Sequence, residues 1–386
     1  MTPNASSEME ADFLIIGAGI AGASLAHWLA PHGKVVMLER ESMPGYHSTG
    51  RSAALYMESY GTEQVRVLTR ASRQFFDHPP EGFSDYPLLT PRGAMTISSQ
   101  ENLPQLQAHW EELCPLGTDV VQLTGEQARE MIPVLREEHV AAAVYEPGAA
   151  DMDVHAIHQG FLRSMRRTGG VLVCDAEVTG MARDGAGVWQ VTAGGRNYSA
   201  RVVVNAAGAW GDHIASLAGV APLGLEPCRR SAMVFAPPQG MNATHWPMVN
   251  AIDESWYIKP DAGMLLGSPA NADPTSAHDV QPEEFDIALA IHRIEEATTL
   301  TIRRPDRTWA GLRSFVSDGD LVGGFDAAAP GFFWLVAQGG YGIQTSAAMG
   351  ETCASLVRGL GVPERIAGFG LTADMLSPGR ASLARR

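Results

Sequence analysis

Three glycines and a glutamate near the start of the chain have the spacing that nucleotide recognition requires. Gly17, Gly19 and Gly22 follow the pattern G-x-G-x-x-G, and Glu39 follows about 20 positions later. Glycines let the backbone approach a pyrophosphate at a helix N-terminus, where free N–H groups and the helix dipole favour negative charge. A carboxylate at the position of Glu39 can accept hydrogen bonds from an adenosine ribose. These residues predict a bound dinucleotide.

The elements that must position these residues are also recognisable. Residues 13–16 are a short apolar run typical of a strand, apolar residues recur at helical spacing from Ile20, and residues 35–38 are a second apolar strand. A glycine triplet alone fits any tight turn, whereas strand, turn, helix and parallel strand together favour a dinucleotide site. Ala21 within the turn and Arg40 beside Glu39 are included in the predicted site.

Three further segments rich in small residues are predicted to lie near the same ligand. Residues 45–61 offer backbone N–H groups and the hydroxyls of Ser48, Thr49 and Ser52, although an ordinary surface loop is the alternative. Ala207 and Gly208 follow a buried-type strand, at the edge where ligands cross open α/β sheets. Residues 338–350 form a second glycine-rich turn that leads from a strand into a helix. We therefore expect the C-terminal part to complete the first domain.

The remaining segments have a different pattern. Residues 222–267 alternate as an antiparallel sheet does, and the predicted inward positions are Met233, Phe235, Trp256, Tyr257 and Ile258. We predict an α/β fold with a Rossmann-like nucleotide-binding domain (1–86, 146–222 and 310–386). A second, α+β domain on a mixed or antiparallel sheet is expected at 87–145 and 223–309.

Capping residues and histidines give more local predictions. Thr62 and Asp153 are expected to cap helices, and Thr124 with Gln127 has the pattern of a capping box. His155 and His158 lie one helical turn apart, but no third ligand of matching type is nearby. We therefore predict helix-surface histidines and no metal site.

Composition limits the classes of partner. A net charge of −15 argues against nucleic acid or an anionic membrane surface. No apolar run reaches the roughly 18 residues needed to span a bilayer, and residues 1–10 lack the pattern of a signal peptide. The four cysteines are scattered without a C-x-x-C pair, as free thiols in a reducing cytoplasm would be. These features predict a cytoplasmic protein.

Several segments occur together, in the same order, in flavoprotein amine oxidoreductases of the D-amino acid oxidase and sarcosine oxidase type. They are IIGAGIAGAS, GYHSTGRSAA, VVNAAGAW, LLGSPANADP, TWAGLRSF and VAQGGYGIQTSAAMG. The resemblance extends over nearly the whole chain, and within the family the chain closely resembles the bacterial D-arginine dehydrogenases.

The resemblance implies that the first domain binds FAD. Some members attach FAD through a cysteine in the segment that corresponds to 314–325, which has none here, so we expect non-covalent binding. Residues 340–344 match the turn beside the pyrimidine end of the flavin, where a helix N-terminus stabilises negative charge. The whole predicted cofactor site consists of Gly17, Gly19, Ala21, Gly22, Glu39, Arg40, Ser48, Thr49, Arg51, Ser52, Ala53, Ala207, Gly208, Gly340, Tyr341, Gly342, Ile343 and Gln344.

The resemblance also implies a substrate site. Arg230 and Arg313 match the pair that holds the substrate carboxylate, and Tyr60 and Tyr257 match tyrosines that close over the substrate. A planar guanidinium binds a carboxylate through two parallel hydrogen bonds, which directs the Cα–H bond toward flavin N5. Surface ion pairs are the alternative for both arginines. Arg229 is a rival to Arg230, because adjacent strand residues face opposite ways.

Three positions of the predicted substrate pocket depart from the D-arginine enzymes. Leu55, Met57 and Ala94 stand where those enzymes have a histidine, a threonine and the glutamate that pairs with the substrate guanidinium; Gly340 and Gln344 complete the predicted pocket. A buried cation without its carboxylate costs several kcal/mol. We therefore expect a preference for D-amino acids with apolar or neutral side chains, unless Asp85, Glu58 or another acid supplies the missing charge.

The predicted function is that of an FAD-dependent D-amino acid dehydrogenase. Its partners would be a small-molecule D-amino acid and a quinone-type or other electron acceptor. The alternatives are a D-arginine dehydrogenase proper, an oxidase of N-methyl or other secondary amino acids, a flavoenzyme acting on 2-hydroxy acids and a non-catalytic FAD-binding scaffold.

Overall fold

The computed structural model describes residues 9–117 and 119–383. The prediction about a signal peptide falls mostly on residues 1–8, outside this part of the chain. The strands, in chain order, are β1 (Met9–Ile16), β2 (Val35–Leu38), β3 (Leu55–Tyr56), β4 (Leu89–Pro91), β5 (Ala94–Ser98), β6 (Val121–Thr124), β7 (Ala142–Glu146), β8 (Ala150–Met152), β9 (Val171–Val173), β10 (Val178–Arg183), β11 (Trp189–Ala193), β12 (Arg196–Asn205), β13 (Glu226–Phe235), β14 (Met248–Ala251), β15 (Tyr257–Asp261), β16 (Met264–Ser268), β17 (Asp273–Pro274), β18 (Arg307–Phe315), β19 (Val322–Phe325) and β20 (Phe332–Val336).

The helices lie between runs of these strands, and some of them pack against each of the two large sheets. They are α1 (Ile20–Leu29), α2 (Glu63–Asp77), α3 (Leu103–Leu113), α4 (Gly125–Met131), α5 (Val154–Arg167), α6 (Gly211–Leu217), α7 (Glu284–Ala297), α8 (Ser346–Val357), α9 (Glu364–Ala367) and α10 (Ala373–Leu376). Within the described part of the chain, none of them is both long and apolar enough to cross a lipid bilayer.

The first sheet contains the predicted nucleotide-binding unit. β1 lies between β2 and β12 and is parallel to both, and α1 connects β1 to β2. β20 pairs with β12, also in parallel, so a strand from the C-terminal part joins the sheet that the first residues begin. The core beside this sheet consists mainly of α1, α2, α5 and α8, whose buried faces include Leu25, Leu68, Phe161 and Met349.

The second sheet is mixed. Its strand order is β17-β13-β16-β15-β14-β5-β7-β6, with β18 paired to β13. Most neighbours are antiparallel, but β14 and β5, which come from distant parts of the chain, are parallel. The predicted inward residues of this region are buried, with exposed fractions from 0% for Met233 to 8% for Tyr257. A Rossmann-like sheet together with this second sheet is the predicted fold class, and it is confirmed.

The predicted boundary at residue 310 falls inside β18. This strand pairs along its whole length with β13 and so belongs to the second sheet up to Phe315. A third, small sheet formed by β3, β8 and β4 lies outside both. An apolar strand pattern does not specify which sheet the strand joins, so the boundary could not be read from it.

The helix caps agree with the sequence-based predictions, whereas one of the two histidines on α5 does not. Thr62 and Asp153 cap α2 and α5 as predicted, and Thr124 and Gln127 form the capping box of α4. The prediction of a surface position is wrong for His158, which is 4% exposed, whereas His155 is exposed. Nε2 of His158 donates a hydrogen bond of 2.9 Å to the carbonyl of Ala18, so the glycine turn, rather than solvent, satisfies this ring.

Candidate active site

Two adjoining cavities lie where the first and second sheets meet. The smaller cavity, of about 170 Å³, lies at the carboxyl end of β1, and the larger, of about 500 Å³, lies over the second sheet. Ser48 and Thr49 line both cavities, so the cavities adjoin at the start of the loop that is predicted to contact a cofactor. An elongated ligand could extend from one cavity into the other.

The glycine turn forms one wall of the smaller cavity. Gly17 has φ +103°, and a Cβ atom there would lie 2.4 Å from the carbonyl oxygen of Ala206, so the turn admits no larger residue. Gly22 lines neither cavity; a Cβ atom there would lie 2.1 Å from the Gly17 carbonyl, so its role is to let α1 pack against the turn. The other predicted residues that line this cavity are Gly19, Ala21, Glu39, Arg40, Ala207 and Gly208.

Hydrogen bonds from three side chains hold this turn. Oε2 of Glu39 accepts from the Ala18 N–H at 2.9 Å, and the hydroxyl oxygen of Thr49 accepts from the Ile20 N–H at 3.0 Å. His158 binds the Ala18 carbonyl, as described above. The carboxylate of Glu39 is 9% exposed and faces the cavity, where a ribose hydroxyl can donate to it.

The larger cavity gathers most of the residues predicted to contact flavin and substrate. The predicted residues that line it are Ser48, Thr49, Arg51, Ser52, Ala53, Leu55, Met57, Tyr60, Arg230, Tyr257, Arg313, Gly340, Gly342, Ile343 and Gln344. Ala94 is not among them, because it is packed in a small cluster with Met57 and Ala149. Tyr341 also lies outside the lining and packs edge-on against Tyr60, with ring centroids 5.0 Å apart. The roles of Ala94 and Tyr341 in direct binding are therefore not supported by the geometry.

The register of two strands puts Arg230 and Arg313 on one face of the second sheet. Arg313 on β18 pairs with Cys228 on β13, and Arg230 lies two residues further along β13. Cross-strand partners share a face, as do residues two apart in a strand, so the two guanidinium groups are diagonal neighbours above the sheet. Both line the larger cavity.

Arg229 faces the opposite side, as strand alternation requires. Its Nε donates to Asp286 at 2.8 Å, and Asp273 and Glu283 complete its ion pairs. Asp286 is 3% exposed, so this cluster is a structural ion-pair network behind the sheet. The rivalry between Arg229 and Arg230 is resolved in favour of Arg230 as the residue that lines the cavity.

The electrostatics of the arginine pair favour an anion. Among the residues that the structure describes, neither guanidinium has a carboxylate within ion-pair distance. Burial and the charge of Arg313 lower the pKa of Arg230. Burial also disfavours the charge of Arg313, but electrostatic interactions with Tyr60 and Tyr257, together with the hydrogen bond to Tyr60, outweigh burial and raise the pKa of Arg313. A bound carboxylate would relieve the repulsion between the two cations.

Several lining residues were not identified from the sequence. Lys259 follows Tyr257 by two positions on β15 and therefore shares its face of the sheet. Strand alternation alone would have predicted this position for Lys259. Its ammonium group pairs with Asp151 at 2.7 Å. His109 and Glu112 reach the cavity from α3, and Glu254 reaches it from the turn before β15. No local pattern connects those two segments with the site.

The two cavities fit a dinucleotide that carries a flavin. The smaller one has the glycine turn, the helix N-terminus and the acid that an ADP group needs, and the larger one is bounded by the second glycine turn before α8. Gly342, Ile343 and Gln344 of that turn line the larger cavity. No cysteine of the described residues lines either cavity.

Comparisons with known proteins agree with this fit. The family described as FAD dependent oxidoreductase matches residues 12–356. FAD-dependent oxidoreductase domain-containing protein 1 from Bos taurus is 24% identical over 90% of this chain and 81% of its own length. L-2-hydroxyglutarate dehydrogenase from Escherichia coli (strain K12) is 25% identical over 55% of this chain and 50% of its own length.

Solved structures show the same fold. L-proline dehydrogenase from P. horikoshii superposes with a TM-score of 0.83 at 21% identity, covering 97% of this chain and 98% of the other. Glycine oxidase from Geobacillus kaustophilus gives a TM-score of 0.80 at 23% identity, with 94% and 99% covered. The match over most of the chain, together with the adjoining cavities, places the protein in the family of FAD-dependent oxidoreductases, with FAD as its cofactor.

Proposed function

We propose that the protein catalyses the oxidative deamination of D-amino acids. The observation that carries this proposal is the pair Arg230 and Arg313, two partly buried cations side by side in the larger cavity without a protein carboxylate for either among the described residues. A substrate carboxylate is the anion that an amino acid oxidoreductase would place there. The names of the relatives, which include amino acid oxidases and dehydrogenases, agree with this class of substrate.

The roles of the residues follow from their chemistry. Arg313 and Arg230 bind the carboxylate, and their fixed register on one sheet orients the substrate. Tyr60 and Tyr257 line the same cavity and enclose the substrate. Bound FAD supplies the two-electron oxidant for the Cα–H bond. The substrate thereby loses two electrons and two protons and becomes an imino acid, which water hydrolyses to a 2-oxo acid and ammonia.

The lining supports a preference for apolar or neutral side chains. Leu55, Met57, Met248 and Trp256 contribute apolar surface. The Lys259 ammonium group adds positive charge, although Asp151 neutralises much of it. A cationic substrate side chain would lose its hydration against the apolar surface and would be repelled by the Lys259 ammonium group, so its binding would be unfavourable.

A second candidate is oxidation of D-amino acids with basic side chains. The carboxylate of Glu254 lines the larger cavity, and among the described residues it forms no ion pair. Glu112 also lines it but is paired with Arg66. Glu254 is thus the acid that would supply the charge missing at Ala94, whereas Glu58 accepts a hydrogen bond from Tyr56 instead.

The test is anaerobic reduction of the bound flavin by a panel of D- and L-amino acids. We expect bleaching by D-leucine, D-methionine or D-phenylalanine, with release of ammonia, and slower bleaching by D-arginine. A higher kcat/KM for D-arginine that falls in Glu254→Gln would favour the second candidate. Bleaching by 2-hydroxy acids or N-methyl amino acids alone would refute the proposal in favour of another substrate class.

Two properties of the cofactor are part of the proposal. Because no described cysteine lines the cavities, acid precipitation should release FAD into the supernatant. We also propose a quinone-type or other acceptor rather than oxygen. Faster turnover with a soluble quinone than with air-saturated buffer would support this choice, and the reverse would make the protein an oxidase.

A further inference from the structure

Glu146 is a buried carboxylate outside the predicted site. It is the last residue of β7, it is 4% exposed, and it lines neither cavity. Its Oε1 accepts from the Glu58 N–H at 2.7 Å, and its Oε2 accepts from the Ser59 N–H at 3.3 Å and from the Ser59 hydroxyl. Among the residues described by the structure, no cation forms an ion pair with it. The donors to this carboxylate therefore come from two adjacent residues, Glu58 and Ser59.

The segment that contains these two residues contributes side chains to the larger cavity. Leu55, Met57 and Tyr60 line it, and Tyr60 directly follows Ser59. On the other side, Gln344 binds both the N–H and the carbonyl of Met57, at 3.3 and 3.4 Å. The segment is thus held between Gln344 on the α8 turn and Glu146 on the second sheet.

Tyr60 connects this segment with the arginine pair. Nη1 of Arg313 donates to the phenolic oxygen of Tyr60 at 3.2 Å. A shift of the backbone at Ser59 would move Tyr60, because the two residues are adjacent. Glu146 is consequently connected to Arg313 through Ser59 and Tyr60, without contact between the two.

The chemistry of the carboxylate suits this task. Three donors converge on its two oxygens, which have enough lone pairs to accept from all three. Burial raises the pKa of Glu146, and the hydrogen bonds from Ser59 and Glu58 oppose that shift. An amide in its place would present N–H donors to N–H donors. Burying a carboxylate without a cation is costly, and charge-assisted hydrogen bonds are what offsets it.

We propose that Glu146 is a positioning residue, whose carboxylate holds Glu58 and Ser59 so that Tyr60 lies against Arg313. This inference rests on the proposed function for its meaning in catalysis. The competing role is a contribution to stability alone.

The experiment combines Glu146→Gln, Tyr60→Phe and the double variant in the FAD-loaded protein. The probe is benzoate, a simple carboxylate, whose dissociation constant is measured from the change in flavin absorbance. We expect each single variant to bind benzoate about tenfold more weakly, as for loss of one hydrogen bond to a charged group. The double variant should bind within about twofold of Tyr60→Phe, because Glu146 acts through Tyr60. Effects that multiply in the double variant would overturn the proposal, as would unchanged binding in Glu146→Gln.

Two controls separate positioning from stability. Asp326→Asn removes another buried carboxylate, which accepts from the Ala328 N–H and the Trp334 indole and lines neither cavity. It should lower the thermal midpoint and leave benzoate binding unchanged. Glu146→Asp retains the charge and should recover part of the affinity. If the Asp326 variant weakens benzoate binding as much, the effect is general destabilisation and the proposal is wrong.

A readout independent of substrate distinguishes this inference from the proposed function. In protein labelled with 3-fluorotyrosine, the Tyr60 resonance is assigned by its absence in Tyr60→Phe. Glu146→Gln should shift that resonance, and Asp326→Asn should not. A shift in a protein that oxidises no D-amino acid would refute the proposed function and keep the positioning role, whereas an unshifted resonance would refute the positioning role.

Discussion

The phenolic oxygen of Tyr60 lies 3.2 Å from Nη1 of Arg313, although 253 residues separate them in the chain. Tyr60 lies in the segment that leaves the first sheet, and Arg313 lies on β18 of the second. Gly340 makes room on the third side, since a Cβ atom there would lie 2.8 Å from the same nitrogen. Residues from three distant segments thus define the position of one guanidinium group.

Replacing Arg313 by methionine should weaken substrate binding while FAD remains bound. Truncating one partner of a buried charge pair costs about 2 to 5 kcal/mol, so KM should rise by roughly 30-fold or more. Steady-state kinetics and the ratio of flavin to protein absorbance measure the two effects. Unchanged kinetics would remove Arg313 from the site.

The neighbouring arginines should respond in opposite ways. Arg230→Met should weaken carboxylate binding, because Arg230 lines the larger cavity. Arg229→Met should mainly lower the free energy of unfolding, by roughly 3 kcal/mol, because it leaves the buried Asp286 without its cation. Benzoate titration and urea denaturation of both variants provide the comparison. A larger loss of benzoate affinity in Arg229→Met would contradict the assignment.

Gly17→Ala should abolish FAD binding. The positive φ of +103° and a contact of 2.4 Å with the Ala206 carbonyl would displace the turn that faces the smaller cavity. The purified variant should be colourless and should fail to take up added FAD. Gly185→Ala is the matched control, because a Cβ atom there meets nothing within 4 Å, and it should retain the yellow colour.

Stability should fall between pH 7 and pH 5 through His27 on α1. Burial, with a smaller contribution from the charge of Arg167, lowers the pKa of His27 from 6.5 to about 4, and the ring lies among Trp28, Phe75 and Phe161. His27 therefore binds a proton near pH 6.5 in the unfolded chain but only near pH 4 in the folded protein, so acidification favours unfolding. The expected loss from this group is about 2 kcal/mol.

Urea denaturation at the two pH values tests this assignment. His27→Phe should reduce the difference in unfolding free energy by about that amount, since phenylalanine has no proton to bind. His155→Gln, at an exposed position of α5, should leave the difference unchanged. An equal pH dependence in wild type and His27→Phe would show that other groups are responsible.

Local patterns predicted the elements around the first glycine turn because each signal there is short-range. The strand β1, the glycine spacing and the helix α1 are contiguous, and the caps Thr62 and Asp153 bond to backbone within three residues. Strand alternation also predicts that Arg229 and Arg230 face opposite sides of the sheet, and the structure shows which of the two sides carries the cavity. Alternation specifies opposite faces and not which face is functional.

The remaining parts of the site depend on contacts between distant segments. The helical pattern predicts a surface position for His158 because the acceptor of its ring, the Ala18 carbonyl, is 140 residues away in the chain. Glu112 and Glu254 reach the same cavity from α3 and from a turn, and no periodicity relates the two.

The parallel pairing of β20 with β12 has a consequence for biosynthesis. A ribosome releases β1, α1 and β2 long before β20, which pairs with β12, and before the glycine turn that bounds the larger cavity. The nascent polypeptide therefore lacks a complete cradle for its coenzyme. FAD is therefore expected to bind only after β20 and the following glycine turn have been synthesised, and chains that terminate before Phe332 are expected to remain apoprotein.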